Sequence, residues 1–278
     1  MNRTPDHAPN VGAFFDLDGT LLARPSLELR MLRFLWSNGA LSLASGLRWI
    51  PRFLQRMLAW NGGGLEERWL SAVDGNKAHL TGARVSGLDT FVSKLAHQPL
   101  RFFPGALRHL MWHVAQDHAI FIVTGSLGPL ALCAAWQLSV RLMEMTGGKQ
   151  PRIHVRATQL GASDGKLTGE VMGQPICGKA KAGAVEEFAL EQRLDLRDCF
   201  AYGDHWSDRW MLESVGRPAV VNPSRALARL ARRRGWPRVE WRCREDPGAE
   251  RSERGARGEE VERDPDGATV RAGTLRTK

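Results

Sequence analysis

A chain of 278 residues with 43% hydrophobic side chains can bury one large core, or a core carrying an inserted module. Its formal net charge of +9 comes mostly from arginine and points to anionic partners: phosphate esters, nucleic acid or an acidic membrane surface. Cys133, Cys177, Cys199 and Cys243 form no CxxC pair and fall singly in apolar segments. That spacing argues against a disulfide framework or a zinc site and for buried thiols in a reducing cytoplasm.

The first ten residues, MNRTPDHAPN, are polar and carry two prolines, so no export signal is expected. No run of about 18 uncharged apolar residues offers a membrane span. Residues 11–18 (VGAFFDLD) form the first apolar run and read as a strand buried on both faces. Residues 23–100 are largely helical in pattern, broken at Asn38-Gly39, Pro51 and Asn61-Gly62-Gly63-Gly64. They read as a helical cap inserted after the first strand, above its end.

Further strands are expected at 118–124 (HAIFIVT), 198–203 (DCFAYG) and 218–222 (PAVVN). Helices are expected at 104–117, 126–139, 180–194 and 223–234, the first and last opened by Pro104 and Pro223. RIHVRATQL and KLTGEV flank Asp164-Gly165 and read as a small β-hairpin inserted between core elements. Strands alternating with helices predict an α/β fold with a parallel sheet covered on both sides, built from 11–22 and 101–242. The tail, 245–278, has almost no large apolar residues, carries nine acids and seven bases, and is expected to be disordered.

Ligands of open α/β sheets bind outside the carboxyl ends of the strands. There the chain places Asp16 and Asp18 in FFDLDGTLL, Thr124 and Gly125 in IFIVTGS, Lys181 in CGKAKAGAV, and Asp204 and Asp208 in YGDHWSD. Asp16 and Asp18, one residue apart, repel each other unless a cation, a shared proton or a charged substrate offsets the cost. Asp16 and Asp204 from adjacent strands would offer hard oxygen ligands to Mg²⁺, a carboxylate can attack phosphorus, and a second carboxyl can move the proton. Thr124, nearby backbone N–H groups and the Lys181 ammonium would stabilise the phosphoryl oxygens.

In order and spacing, FFDLDGTLL, IFIVTGS, the lysine 23 residues before the YGD aspartate, and YGDHWSDRWML resemble the four motifs of the haloacid dehalogenase-like hydrolases. The resemblance is to the phosphoserine-phosphatase-like branch and covers roughly residues 11–240. It implies a Rossmann-like, doubly wound parallel sheet with a helical cap, Mg²⁺, Asp16 as nucleophile and Asp18 as acid/base. It further implies Thr124 and Lys181 on the phosphoryl group, Asp204 on the metal, Asp18 lending its backbone carbonyl, and Asp208 ligating or orienting. Lys179 competes with Lys181, Thr124 also fits a helix cap near Ser126, and Asp208 also fits a first-turn helix acid. His205 is not taken as a ligand, because imidazole suits zinc or iron better than magnesium.

The expected activity is Mg²⁺-dependent hydrolysis of a small-molecule or lipid-like phosphomonoester through an aspartyl-phosphate. The alternatives are a phosphotransferase, or an inactive basic protein that binds nucleic acid or membrane. Phosphoserine phosphatase carries an acidic cap residue nine positions after the nucleophile to meet the amine; here that position is Pro25, and Glu28 lies at +12. Between Leu29 and Trp60 stand five arginines, three tryptophans and no acid. Two readings fit: a cap packed on the core with its arginines outward, or a segment that lies against an anionic membrane. Arg232-Arg233-Arg234 on the last helix reads first as a solvated face, ahead of nucleic-acid contact.

Overall fold

The computed structural model describes residues 11–41 and 77–242, together with positions 47, 50, 51, 54, 55 and 58. The glycine-rich break at 61–64, Cys243 and the tail expected to be disordered lie outside the described residues.

Seven strands form one sheet in the order β4-β3-β2-β1-β5-β6-β7. They are β1 (Gly12–Phe15), β2 (Ala119–Leu127), β3 (Ile153–Ser163), β4 (Lys166–Met172), β5 (Phe200–Gly203), β6 (Arg217–Val221) and β7 (Arg238–Val239). The helices are α1 (Leu27–Ser37), α2 (Val85–Ala96), α3 (Pro104–Ala115), α4 (Gly128–Met145), α5 (Lys179–Gln192), α6 (Arg209–Glu213) and α7 (Arg225–Arg234). All pairings are parallel except β3 with β4. The fold is the expected α/β architecture with helices on both faces.

β1 (GAFF) shows why an unbroken apolar run suits the centre of such a sheet: all four residues are buried, and alternate side chains serve opposite cores. Phe14 stacks on Phe121 at 4.8 Å between ring centroids, on the side packed by Phe188 and Leu227. Phe15 stacks on Tyr202 at 4.5 Å, on the side packed by Leu110 and Leu138.

Local chemistry sets the helix ends. The Ser26 and Ser224 hydroxyls accept from Leu29 N–H and Leu227 N–H to start α1 and α7, and Pro104 begins α3 where its missing N–H costs nothing.

Two expectations need correction: Pro223 precedes the Ser224 cap instead of opening α7, and the boundary between β2 and α4 lies later than read. β2 runs on through Leu127, so α4 starts at Gly128, with Pro129 in its first turn, rather than near Ser126. The chain bends between Thr124 and Leu127 without leaving the ladder, and propensity gives no sign of such a bend. The hairpin around Asp164-Gly165 forms as expected, and its first strand also joins the core sheet: β3 pairs with β2 through Ile153–Thr158 and with β4 through Gln159–Ser163. β7, two residues long, gave too short a pattern to read.

Candidate active site

β1 and β5 are hydrogen-bonded neighbours in register Phe15↔Tyr202, so the residues just past their ends come out side by side. The Asp16 N–H donates to the Tyr202 carbonyl at 3.0 Å, and Asp204 follows one residue beyond the strand end at Gly203. The turn after β5 brings Asp208 back: the N–H groups of Asp204 and His205 donate to its Oδ2 at 3.0 and 2.9 Å. Asp16, Asp204 and Asp208 each contribute a carboxylate oxygen to a group whose members lie within 4.8 Å of one another, and all three are buried. Lys181, in the first turn of α5, reaches in beneath them. Its Nζ lies 2.6 Å from Asp16 Oδ1 and 2.6 Å from Asp208 Oδ1.

Two glycines permit this approach. Gly19 sits at φ +99°, and a Cβ there would come 2.4 Å from Asp204 Oδ2; a Cβ at Gly203 would come 2.5 Å from the Asp208 Cβ.

Burial costs charged groups their hydration, and the site shows it. Asp16 is raised well above the usual carboxylate range, first by burial, with Lys181 opposing and Asp208 and Asp204 adding to the rise. Asp204 is pushed up to about 6 by burial and then by Asp208. Lys181 is held above its ordinary value: burial alone would lower it, but the Asp16 and Asp208 carboxylates outweigh burial. The Lys181 ammonium and the largely exposed Arg24 guanidinium face three carboxylates, so the cluster is still short of positive charge. Hard oxygen donors, buried and converging with an excess of negative charge, fit a divalent cation such as Mg²⁺.

Asp18 stands beside this group on its own supports. Ser126 Oγ donates to Asp18 Oδ2 at 2.5 Å, and the Leu27 N–H at the start of α1 donates to Oδ1 at 2.9 Å. Burial raises the Asp18 carboxyl, and these two donors moderate the rise. Thr124 is buried on the neighbouring bend, where its Oγ1 accepts from Ser126 N–H at 3.1 Å; Gly125 sits between them, half-buried. Lys179 is exposed, whereas Lys181 is buried among the carboxylates. His205 Nδ1 pairs with Ser207 Oγ at 3.1 Å as the cap of a short turn.

Four supporting groups were not foreseen. Ser126 follows Thr124 by two, the spacing that returns a strand side chain to one side, and this signal was available. Thr20, in the DGT stretch, places Oγ1 3.3 Å from Asp204 Oδ1. Arg24, largely exposed, reaches Asp204 Oδ2 at 3.2 Å, and the Leu27 N–H reaches Asp18; neither has a local sequence signal. Glu28 is bonded to the buried Lys77 ammonium at 2.5 Å and lies 3.7 Å from His79 Nε2. Burial would raise its carboxyl, but Lys77 and His79 prevail and lower it.

No helix among the described residues is long and apolar enough to cross a membrane. Cys133, Cys177 and Cys199 are free thiols.

The profile of the haloacid dehalogenase-like hydrolases matches residues 13–213. A Mycobacterium tuberculosis protein named as a probable phosphatase is 30% identical over 255 residues, covering 85% of this chain and 80% of its own. Among solved structures, a protein of unknown function from Bordetella pertussis Tohama I superposes with a TM-score of 0.54 at 24% identity, over 82% of this chain and 97% of its own. A substrate-bound phosphoserine phosphatase superposes with a TM-score of 0.52 at 17% identity, over 82% and 91%. With motifs, fold and profile agreeing, the chain belongs to the haloacid dehalogenase-like hydrolase family.

Proposed function

We propose that the protein is a phosphatase that hydrolyses phosphomonoesters through an aspartyl-phosphate on Asp16. The observation that carries this reading is the convergence of Asp16, Asp204, Asp208 and Lys181 from two adjacent strand ends and one helix start. Lys181 holds Asp16 Oδ1, so Oδ2 attacks phosphorus while the bond from phosphorus to the ester oxygen breaks. Asp18, raised by burial and aimed by Ser126 and Leu27, gives its proton to the departing alkoxide. It then takes a proton from a water whose oxygen attacks the phosphorus, the bond to Asp16 breaks, and inorganic phosphate leaves. Lys181, and the bend carrying Thr124 and Gly125, stabilise the phosphoryl oxygens. Asp16 and Asp204, with Asp208 ligating or orienting, would hold Mg²⁺ together with the Asp18 backbone carbonyl. The ion supplies positive charge against the carboxylates and the phosphoryl group.

The substrate is a small-molecule or lipid-like phosphate ester. Glu28, the nearest counterpart of an amine-binding acid, already has Lys77 and His79 as partners, which speaks against an amine at that point. A panel of phosphomonoesters with and without Mg²⁺ tests the reading. Phosphate release that needs both Mg²⁺ and Asp16 supports it; no release from any ester overturns it. Adding alcohol acceptors and following the product separates hydrolysis from phosphoryl transfer. Residues 11–22 and 101–242 act as the catalytic core in this reading, and 23–100 as a cap that closes the pocket to bulk water.

A further inference from the structure

Six of the twelve large hydrophobic side chains exposed among the described residues fall between positions 29 and 58: Leu29, Trp36, Leu47, Ile50, Leu54 and Leu58. They are not scattered. Leu29 and Trp36 lie seven residues apart on α1, with exposed Arg33 between them on the same face. Leu47, Ile50, Leu54 and Leu58 are also exposed, at helical positions whose spacing of three, four and four is that of one helix face; Leu58 is 82% exposed and Leu47 is 65% exposed. Aliphatic side chains gathered on outer faces in this way mark a surface that meets something apolar.

The charge of the same stretch identifies the partner. From Leu29 to Trp60 the sequence holds five arginines and no acid, with tryptophans at 36, 49 and 60. A symmetric contact between two copies would set two acid-free basic segments against each other, so like charges oppose that occupant. A surface that is apolar beneath an anionic skin satisfies both features, and interfacial tryptophan fits the same boundary. We propose that this apolar surface docks on an anionic phospholipid bilayer, with Leu54 and Leu58 entering the acyl boundary and the exposed Arg33 meeting the headgroups. The inference goes beyond the proposed phosphatase activity and does not depend on it.

The test is flotation of the full chain with vesicles of phosphatidylcholine and phosphatidylglycerol, and with phosphatidylcholine alone, at low and high salt. The expected result is co-flotation with the anionic vesicles at low salt, reduced at least about tenfold by high salt or on neutral vesicles. Leu54→Glu/Leu58→Glu should abolish flotation while its melting curve matches the parent chain, since both side chains face outward. Failure of the parent chain to float on anionic vesicles at low salt would overturn the proposal. So would unchanged flotation of the double variant, or sedimentation showing a dimer that this variant dissociates.

Discussion

The Lys181 ammonium stands 2.6 Å from Asp16 Oδ1 and 2.6 Å from Asp208 Oδ1, bridging two strand ends that are far apart in the chain. The bridge is buried, so removing the cation leaves two buried carboxylates without their counter-charge. Lys181→Met is expected to destabilise the fold by about 3–5 kcal/mol, read as a lowered denaturation midpoint. Lys181→Met/Asp208→Asn should recover part of that loss; a double variant no more stable than the single one would contradict the pairing.

Asp16→Asn removes the attacking oxygen and one charge from a cluster with excess negative charge. Turnover should fall by at least ~10³-fold while the melting temperature stays the same or rises. Residual activity above that level would exclude Asp16 as nucleophile.

Ser126 is the hydroxyl that aims Asp18. Losing one hydrogen bond to a charged group costs about 1.5–3 kcal/mol, so Ser126→Ala should lower kcat by roughly 10- to 100-fold. Ser126→Thr, which keeps the hydroxyl, should recover part of the rate.

Mg²⁺ binding to the folded protein alone must also stabilise it. In chelator the melting temperature should be lower than in millimolar Mg²⁺, and the difference should vanish in Asp204→Asn. An unchanged melting temperature with Mg²⁺ would argue against a metal at these carboxylates.

His113 is fully buried, with Nδ1 2.9 Å from His118 Nδ1 and Nε2 3.0 Å from the Tyr202 hydroxyl oxygen. Burial, then His118 and His109, push its pKa down from 6.5 to about 3; Arg217 and Asp117 are the charges acting on His118. Between those pH values the unfolded chain binds a proton that the folded chain refuses. Its contribution is therefore complete above about pH 6.5 and is lost progressively as the pH falls toward 3. The melting temperature should drop over that range, and His113→Phe should make the drop shallower; an unchanged slope would remove His113 as the cause.

The sequence alone determined the central sheet and the residues at its strand ends. Apolar runs such as FFDLD and CFAYGD are short enough, and bounded sharply enough, to be read without knowing their neighbours. The choice of Asp16, Asp204 and Asp208 followed from the rule that ligands gather at carboxyl strand ends, that of Lys181 from its spacing to Asp204, and the profile match established the family. Only the tertiary structure decided which groups hold these residues. That Ser126 and the Leu27 N–H clasp Asp18, that Arg24 and Thr20 reach Asp204, and that Lys77 occupies Glu28 depend on chain segments meeting in space. The continuation of β2 to Leu127 and the double pairing of β3 were hidden for the same reason. Local propensity is set by a residue's neighbours in the chain, whereas hydrogen-bond partners and strand ends are set by whatever packing brings alongside.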